Sequence, residues 1–212
     1  MEKTSVVLGA SGLIGRLLIL DLLQKSNKVI AILRNDEVLP NEVEKLIINF
    51  DEFINNGNLP SCDQIFICIG TTIKKAGSKE EFVKVDYTYA YEFAKKAFEV
   101  KASEIHLVSS VGADSKSNNF YLKTKGQIEE AILGLKFEYT RIYRPSLLIG
   151  RRSETRLLEK LGQLISPLLN NFLIGNMKKY RSIDAKKVVR FMVHNNEEKS
   201  LEYYYYNDFI NQ

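Results

Sequence analysis

Val6-Val7-Leu8-Gly9-Ala10-Ser11-Gly12-Leu13-Ile14-Gly15-Arg16 is the stretch on which the reading of this chain turns. It opens as an apolar run of the kind that forms a buried strand. It then breaks at Gly9, Gly12 and Gly15, and resumes with apolar residues at helical spacing through Leu17, Leu18 and Leu22. Gly9 suits a sharp turn out of the strand. Gly12 leaves the backbone open to a phosphate, and Gly15 lets the helix pack close to the strand. The bare amides and dipole at the start of the helix then face an anion. The spacing is G-x-x-G-x-x-G, looser than G-x-G-x-x-G. A plain glycine-rich connection would give the same letters; the placement between strand and helix favours a dinucleotide turn.

Working outward, Lys28–Leu33 reads as the second strand, with Arg34 at its exit. In a sheet of this kind that position faces the adenosine ribose. A carboxylate there favours NAD, whereas an arginine pairs with a 2′-phosphate and favours NADP. Arg34, with Arg16 just past the glycines, leads us to expect NADP(H); Asp36 keeps NAD(H) as the alternative. Residues 43–50 read as a third strand with Asp51 at its exit, where a carboxylate accepts from an adenine amino group or simply ends a turn. Gln64–Ile69 reads as a fourth strand ending in Gly70-Thr71-Thr72, a small residue followed by two hydroxyls that suit a passing cofactor. Ser78 and Glu81 have capping-box spacing, so a helix is expected after Ser78. Asp86 and Tyr87 lie off its apolar stripe and fit either surface or site.

Glu104–Val108 is a fifth strand, and Ser109-Ser110 closes it. Tyr121 and Lys125 follow at i and i+4, on one face of a helix that runs to about Leu133. A phenol has an ordinary pKa of ~10, and an ammonium one turn away favours its ionised form. Such a tyrosine acts as general acid or base on a carbonyl or alcohol, and a serine hydroxyl opposite it steadies the same oxygen. The spacing alone matches by chance in a chain with 11 tyrosines. The order of glycine turn, strand, Ser-Ser and Tyr-x-x-x-Lys is what makes it chemical. Glu129-Glu130 reads as a solvated helix face, and His106 lies mid-strand in an apolar run. Tyr139–Tyr143 is a sixth strand leading to Arg144-Pro145. Helices are expected over 154–165 and 184–193, and a short aromatic strand over 201–206.

Strands alternating with helices imply an α/β, Rossmann-type doubly wound parallel sheet. The 212 residues suit a single domain over 1–212, with roughly 147–212 as a small lobe on the substrate side. Hydrophobic residues make up 45% and charged residues 26%, enough for an ordinary core. The net charge of +4 is scattered, so nucleic acid is not expected as a partner. No apolar run approaches the ~18 residues of a membrane span, and no membrane association is expected. Cys62 and Cys68 read as free thiols, and two histidines without acid partners suggest no metal. With no signal sequence before the first strand, a cytoplasmic monomer or homodimer is expected.

With these residues in place, the chain resembles the atypical short-chain dehydrogenases/reductases, and within them the Tat-interacting-protein-like branch of NAD(P)H-binding proteins. The stretches that carry the resemblance are Gly9–Gly15, Gly70-Thr71-Thr72 with Ala76-Gly77-Ser78, Val85-Asp86, Leu107–Asp114, Phe120–Gly126 and Arg144-Pro145. It implies bound NADP(H) and a Ser110, Tyr121 and Lys125 site, with the lysine also gripping the cofactor ribose. The cofactor set is then Gly9, Ser11, Gly12, Leu13, Ile14, Gly15, Arg34, Asp51, Gly70, Thr71, Thr72 and Pro145. The expected activity is hydride transfer to or from a small carbonyl or alcohol. The alternatives are a non-catalytic NADPH sensor and a nucleotide-sugar epimerase or dehydratase; the shortness of the C-terminal part weighs against the last.

Overall fold

In a computed structural model, which describes residues 2–25, 27–150, 173, 175–195 and 199–211, the strand ahead of the glycines lies inside the sheet, third of its seven strands. In chain order the elements begin β1 (Thr4–Leu8), α1 (Leu13–Gln24), β2 (Lys28–Leu33), β3 (Glu44–Ile47), α2 (Phe50–Asn56) and β4 (Gln64–Ile67). Short helices α3 (Ile73–Ala76) and α4 (Lys79–Val83) lead through a π-helical segment, Lys84–Tyr89, into α5 (Ala90–Glu99). Then come β5 (Glu104–Val108), α6 (Phe120–Leu135), β6 (Tyr139–Tyr143), β7 (Leu148–Ile149), a 3-10 turn at Gly175–Tyr180 and β8 (Ile183–Asp184). The chain closes with α7 (Ala185–His194), β9 (Leu201–Tyr204) and α8 (Tyr206–Ile210).

The main sheet has seven strands in the order β3-β2-β1-β4-β5-β6-β9, all parallel. Its central strands are near-continuous apolar runs because both faces are covered. Alternate side chains feed two cores. Val6, Leu8, Ile30, Ile32, Ile65 and Ile67 face one, with Phe93 of α5 and Ile128 of α6. Val7, Ala31, Leu33 and Phe66 face the other, with Leu18 of α1 and Val188 of α7. Strand order reverses between β1 and β4, and such a switch point is where open α/β sheets bind ligands.

Several expectations shift in position. The third strand stops at Ile47, because Asn49 caps a helix there, accepting from the Asp51 amide at 2.9 Å. Asp51 therefore stands in the first turn of α2 and not at a strand exit. The aromatic strand expected in the closing lobe is the seventh strand of the main sheet, pairing with β6. The helix expected over 154–165 lies outside the described residues.

His106 sits in the core, stacked on Phe66 with centroids 4.1 Å apart, its Nδ1 bonded to the Tyr143 hydroxyl at 2.9 Å. Burial pushes its pKa below the ordinary 6.5. Burial would push Glu104 up, but His106 and Lys3 outweigh it and hold it near 2. Below about pH 6.5 the unfolded chain takes up a proton at His106 that the folded chain does not, and below about 4.5 another at Glu104. Stability accordingly falls as the pH drops. A urea midpoint lower at about pH 5 than at about pH 7 is the expected result; equal midpoints would contradict it.

Candidate functional site at the switch point

Gly9 leaves β1 at φ +90°, and a Cβ there would lie 2.6 Å from the backbone of Cys68 and Ile69 at the exit of β4. A Cβ on Gly15 would lie 2.2 Å from the Gly9 carbonyl oxygen. Turn, helix and neighbouring strand thus approach too closely for any side chain. The Gly12 amide bonds the Gly9 carbonyl at 3.0 Å, and the first helical bond runs from the Arg16 amide to the Gly12 carbonyl. The amides of Leu13, Ile14 and Gly15 precede that bond, so they are the ones a helix start offers to an anion. Ser11 and Gly12 are exposed, while the Ile14 side chain is buried in the core beneath.

Arg34 is exposed where β2 ends, its guanidinium 5.7 Å from the Phe50 ring centroid. It shares a cleft of about 330 Å³ with Ile48, Asn49, Phe50, Asp51 and Tyr89. Asp51 is engaged by Lys84 at 2.9 Å and by the Tyr89 hydroxyl at 2.8 Å, which together hold its carboxyl below the usual range. Asp36 is engaged by Lys45 at 2.8 Å, which likewise holds its carboxyl down. A larger hollow, about 480 Å³ and lined by Phe98, Ala102 and Phe137 among others, opens where β5 and β6 begin, at the opposite edge of the sheet from the glycines.

The exits of β5 and β6 lie at the same edge as the glycine turn. The Val111 amide donates to the Pro145 carbonyl at 2.9 Å, joining the two exits. Ser110 is half-buried beside this join. The Asn119 side chain caps α6, accepting from the Leu122 amide at 3.1 Å, and so sets Tyr121 in the first turn. Tyr121 packs against Phe82, with centroids 5.8 Å apart. One turn on, Lys125 is buried.

Two carboxylates complete this region: Asp86, which the sequence leaves open as surface or site, and Glu129, which it places on a solvated face. Asp86 is only 2% exposed; one oxygen lies 2.8 Å from Lys125 Nζ and the other accepts from the Thr71 amide at 2.8 Å. It belongs to the π-helical segment, whose extra residue per turn rotates it inward; such segments recur at functional sites. Burial disfavours the Lys125 ammonium, yet Asp86, Tyr121 and Glu129 outweigh it and raise the lysine pKa above the ordinary 10.5. Glu129, expected on a solvated face, is 2% exposed. It accepts from Ser109 Oγ and takes Arg144 with both oxygens, at 3.0 and 2.5 Å. Arg144 also donates to the Tyr205 hydroxyl at 3.0 Å. Gly70 lies beside this pair, where an added Cβ would stand 3.4 Å from Asp86 and 3.8 Å from Lys125. Thr71 thus joins through its backbone, while the Thr72 hydroxyl caps α3, accepting from the Lys75 amide at 3.2 Å. Among the described residues no cluster of side chains is arranged to hold a metal.

Comparison with known proteins adds the following. No protein-family model matches the chain. Protein FMP52-1, mitochondrial, of Scheffersomyces stipitis is 35% identical over 182 residues, covering 82% of this chain and 76% of that protein. Protein HTATIP2 of Rattus norvegicus is 34% identical over 162 residues, covering 73% of this chain and 66% of that protein. Protein FMP52, mitochondrial, of Lodderomyces elongisporus is 51% identical over a shorter stretch of 87 residues, 41% of this chain; that match spans only 37% of the relative's length. Among solved structures, MoeE5 in complex with UDP-glucose and NAD superposes with a TM-score of 0.71 at 13% identity, over 98% of this chain and 79% of that one. Human epimerase family protein SDR39U1 with NADPH gives 0.62 at 15% identity, over 94% and 73%. At these identities the structural matches speak for the fold. The expectation of a cytoplasmic protein is overturned: the fungal relatives are named as mitochondrial, which points to that compartment instead. No helix among the described residues is long and apolar enough to cross a membrane.

Proposed function

The chain belongs to the family of FMP52 and HTATIP2, NAD(P)-binding proteins of the short-chain dehydrogenase/reductase type, and from that membership we propose an NADP(H)-dependent oxidoreductase acting on a small carbonyl or alcohol. The observation that carries this reading is the buried Lys125, 2.8 Å from Asp86 and one helical turn from Tyr121, at the sheet edge that also bears the glycine turn. The residues at that edge fit a dinucleotide. The turn around Gly9 and Gly15 leaves no room for side chains, and a cleft lined by Arg34, Phe50 and Asp51 lies at the exit of β2.

In this reading the amides of Leu13, Ile14 and Gly15, with Ser11 and Gly12, receive the pyrophosphate. Arg34 takes the 2′-phosphate, and Phe50 and Asp51 border the adenine. Gly70, Thr71, Thr72 and Pro145 border the nicotinamide half. The bound dinucleotide supplies the hydride. Tyr121 gives its phenolic proton to the substrate oxygen in reduction, or takes one in oxidation. Ser110 donates to the same oxygen and steadies the charge it develops. Lys125 keeps a positive charge beside the phenol and holds the ribose. Asp36, paired with Lys45 through one oxygen, keeps NAD(H) as the alternative.

Fluorescence titration with NADPH and NADH tests the cofactor, and NADPH oxidation across a panel of small aldehydes and ketones tests the reaction. NADPH should bind more tightly, and Arg34→Ala should weaken NADPH about tenfold, or about 1.4 kcal/mol, while leaving NADH within twofold. NADH binding tenfold tighter than NADPH to the parent would overturn the assignment of Arg34.

A further inference from the structure

We propose that Glu37 sets the cofactor preference by competing with the 2′-phosphate for Arg16. This rests on the NADP(H) reading above and concerns a residue outside it. Arg16 is in the first turn of α1, but its guanidinium reaches across to the segment that follows β2. Nε donates to the Ser11 carbonyl at 3.0 Å, one terminal nitrogen to the Val38 carbonyl at 3.4 Å, and the other to Glu37 at 2.5 Å. Glu37 stands three residues beyond Arg34. Two guanidinium groups therefore flank the exit of β2, and one of them already holds a carboxylate.

A carboxylate and a phosphate ester are recognised by the same face of an arginine. The phosphate carries about −1.5 to −2 charges and the carboxylate one, so the exchange of Glu37 for phosphate favours the phosphate. Both side chains of the pair keep about a third of their exposure, 38% for Arg16 and 33% for Glu37, so releasing Glu37 into water needs little rearrangement. Residues 34–43 between β2 and β3 form no helix or strand. The other charged groups at this exit are Asp36, held by Lys45, and Arg34, exposed over Phe50. Glu37 is thus the carboxylate that a 2′-phosphate must displace to reach Arg16, and NADH, lacking that phosphate, makes no such demand.

The test is Glu37→Gln, which keeps the shape and removes the charge. Adenosine 2′,5′-bisphosphate isolates the subsite, and NADPH and NADH are titrated into the same proteins. The expected result is about three- to fivefold tighter binding of NADPH and of the bisphosphate, NADH unchanged within twofold, and a larger gain for Glu37→Lys. The gain should shrink in ~0.5 M salt. An unchanged or weakened NADPH affinity overturns the proposal, as does an equal gain for both dinucleotides. A parent protein that prefers NADH sinks the NADP(H) reading instead, and it is read from a separate measurement.

Discussion

Lys125→Met should lower the stability of the folded chain by about 3–5 kcal/mol, and adding Asp86→Leu should return most of it. Lys125 and Asp86 are 5% and 2% exposed and lie 2.8 Å apart, so neither charge has water to fall back on. Removing the lysine leaves a buried carboxylate with only the Thr71 amide, at 2.8 Å, to satisfy it. Removing both replaces two desolvated charges with apolar volume, which interiors tolerate. Denaturant midpoints of the two single variants and the double variant measure the pairing directly. A lysine-to-methionine variant as stable as the parent would show that the pair is not a structural tie. The pH dependence has a definite sign. The lysine pKa is raised on folding, so its contribution is complete below about 10.5 and is lost as the pH climbs through the folded value.

Such a pair can serve a purpose other than stability. Its position gives one. Asp86 bridges the exit of β4, through Thr71, to the first two turns of α6, and so fixes the ammonium relative to Tyr121. Glu129 does the equivalent on the other side, joining Ser109 at the exit of β5 to Arg144 at the exit of β6. The strand exits are pinned by buried charges and not by packing alone.

The frame of the protein was readable in advance because its central strands are apolar over their whole length. Val6–Leu8, Val29–Leu33 and Ile65–Ile67 are buried on both faces, and a run of that kind has few other places to go. Strand β3 was misjudged because it is an edge: Glu44, Lys45 and Ile47 are exposed, and the apolar run continues past it into α2. Asp86 stayed open between surface and site because helical spacing assumes 3.6 residues per turn, and the Lys84–Tyr89 segment departs from it. Glu129 escaped for another reason. Nothing in its own helix announces that Arg144 will cover it, since that contact is made only when β6 takes its place beside β5. Arg16 and Glu37 were each legible as charges, but their pairing depends on the path of the loop after β2. What the chain pattern encodes is which faces are apolar; which buried charges meet is decided by tertiary assembly.

Tyr121→Phe should abolish 99% or more of NADPH oxidation with the best carbonyl of the panel, a loss of about 10²–10⁴-fold, while NADPH affinity stays within about twofold. The phenolic oxygen is the one acidic group that the first turn of α6 presents near Lys125, and phenylalanine keeps the packing against Phe82 while deleting the proton. The loss should appear in kcat and in kcat/KM alike, because the proton is needed only as the substrate oxygen changes charge. Lys125→Met is expected to reduce the same rate but also to weaken NADPH, since the lysine both supports the phenol and holds the ribose. The two variants therefore separate proton transfer from binding. Were turnover in Tyr121→Phe to match the parent, the proton would have to come from elsewhere and the Ser110–Tyr121–Lys125 assignment would fall. Were the parent to bind NADPH tightly yet oxidise none of it across the panel, the constellation would be serving cofactor binding without chemistry, and the oxidoreductase reading would give way to that of a cofactor sensor.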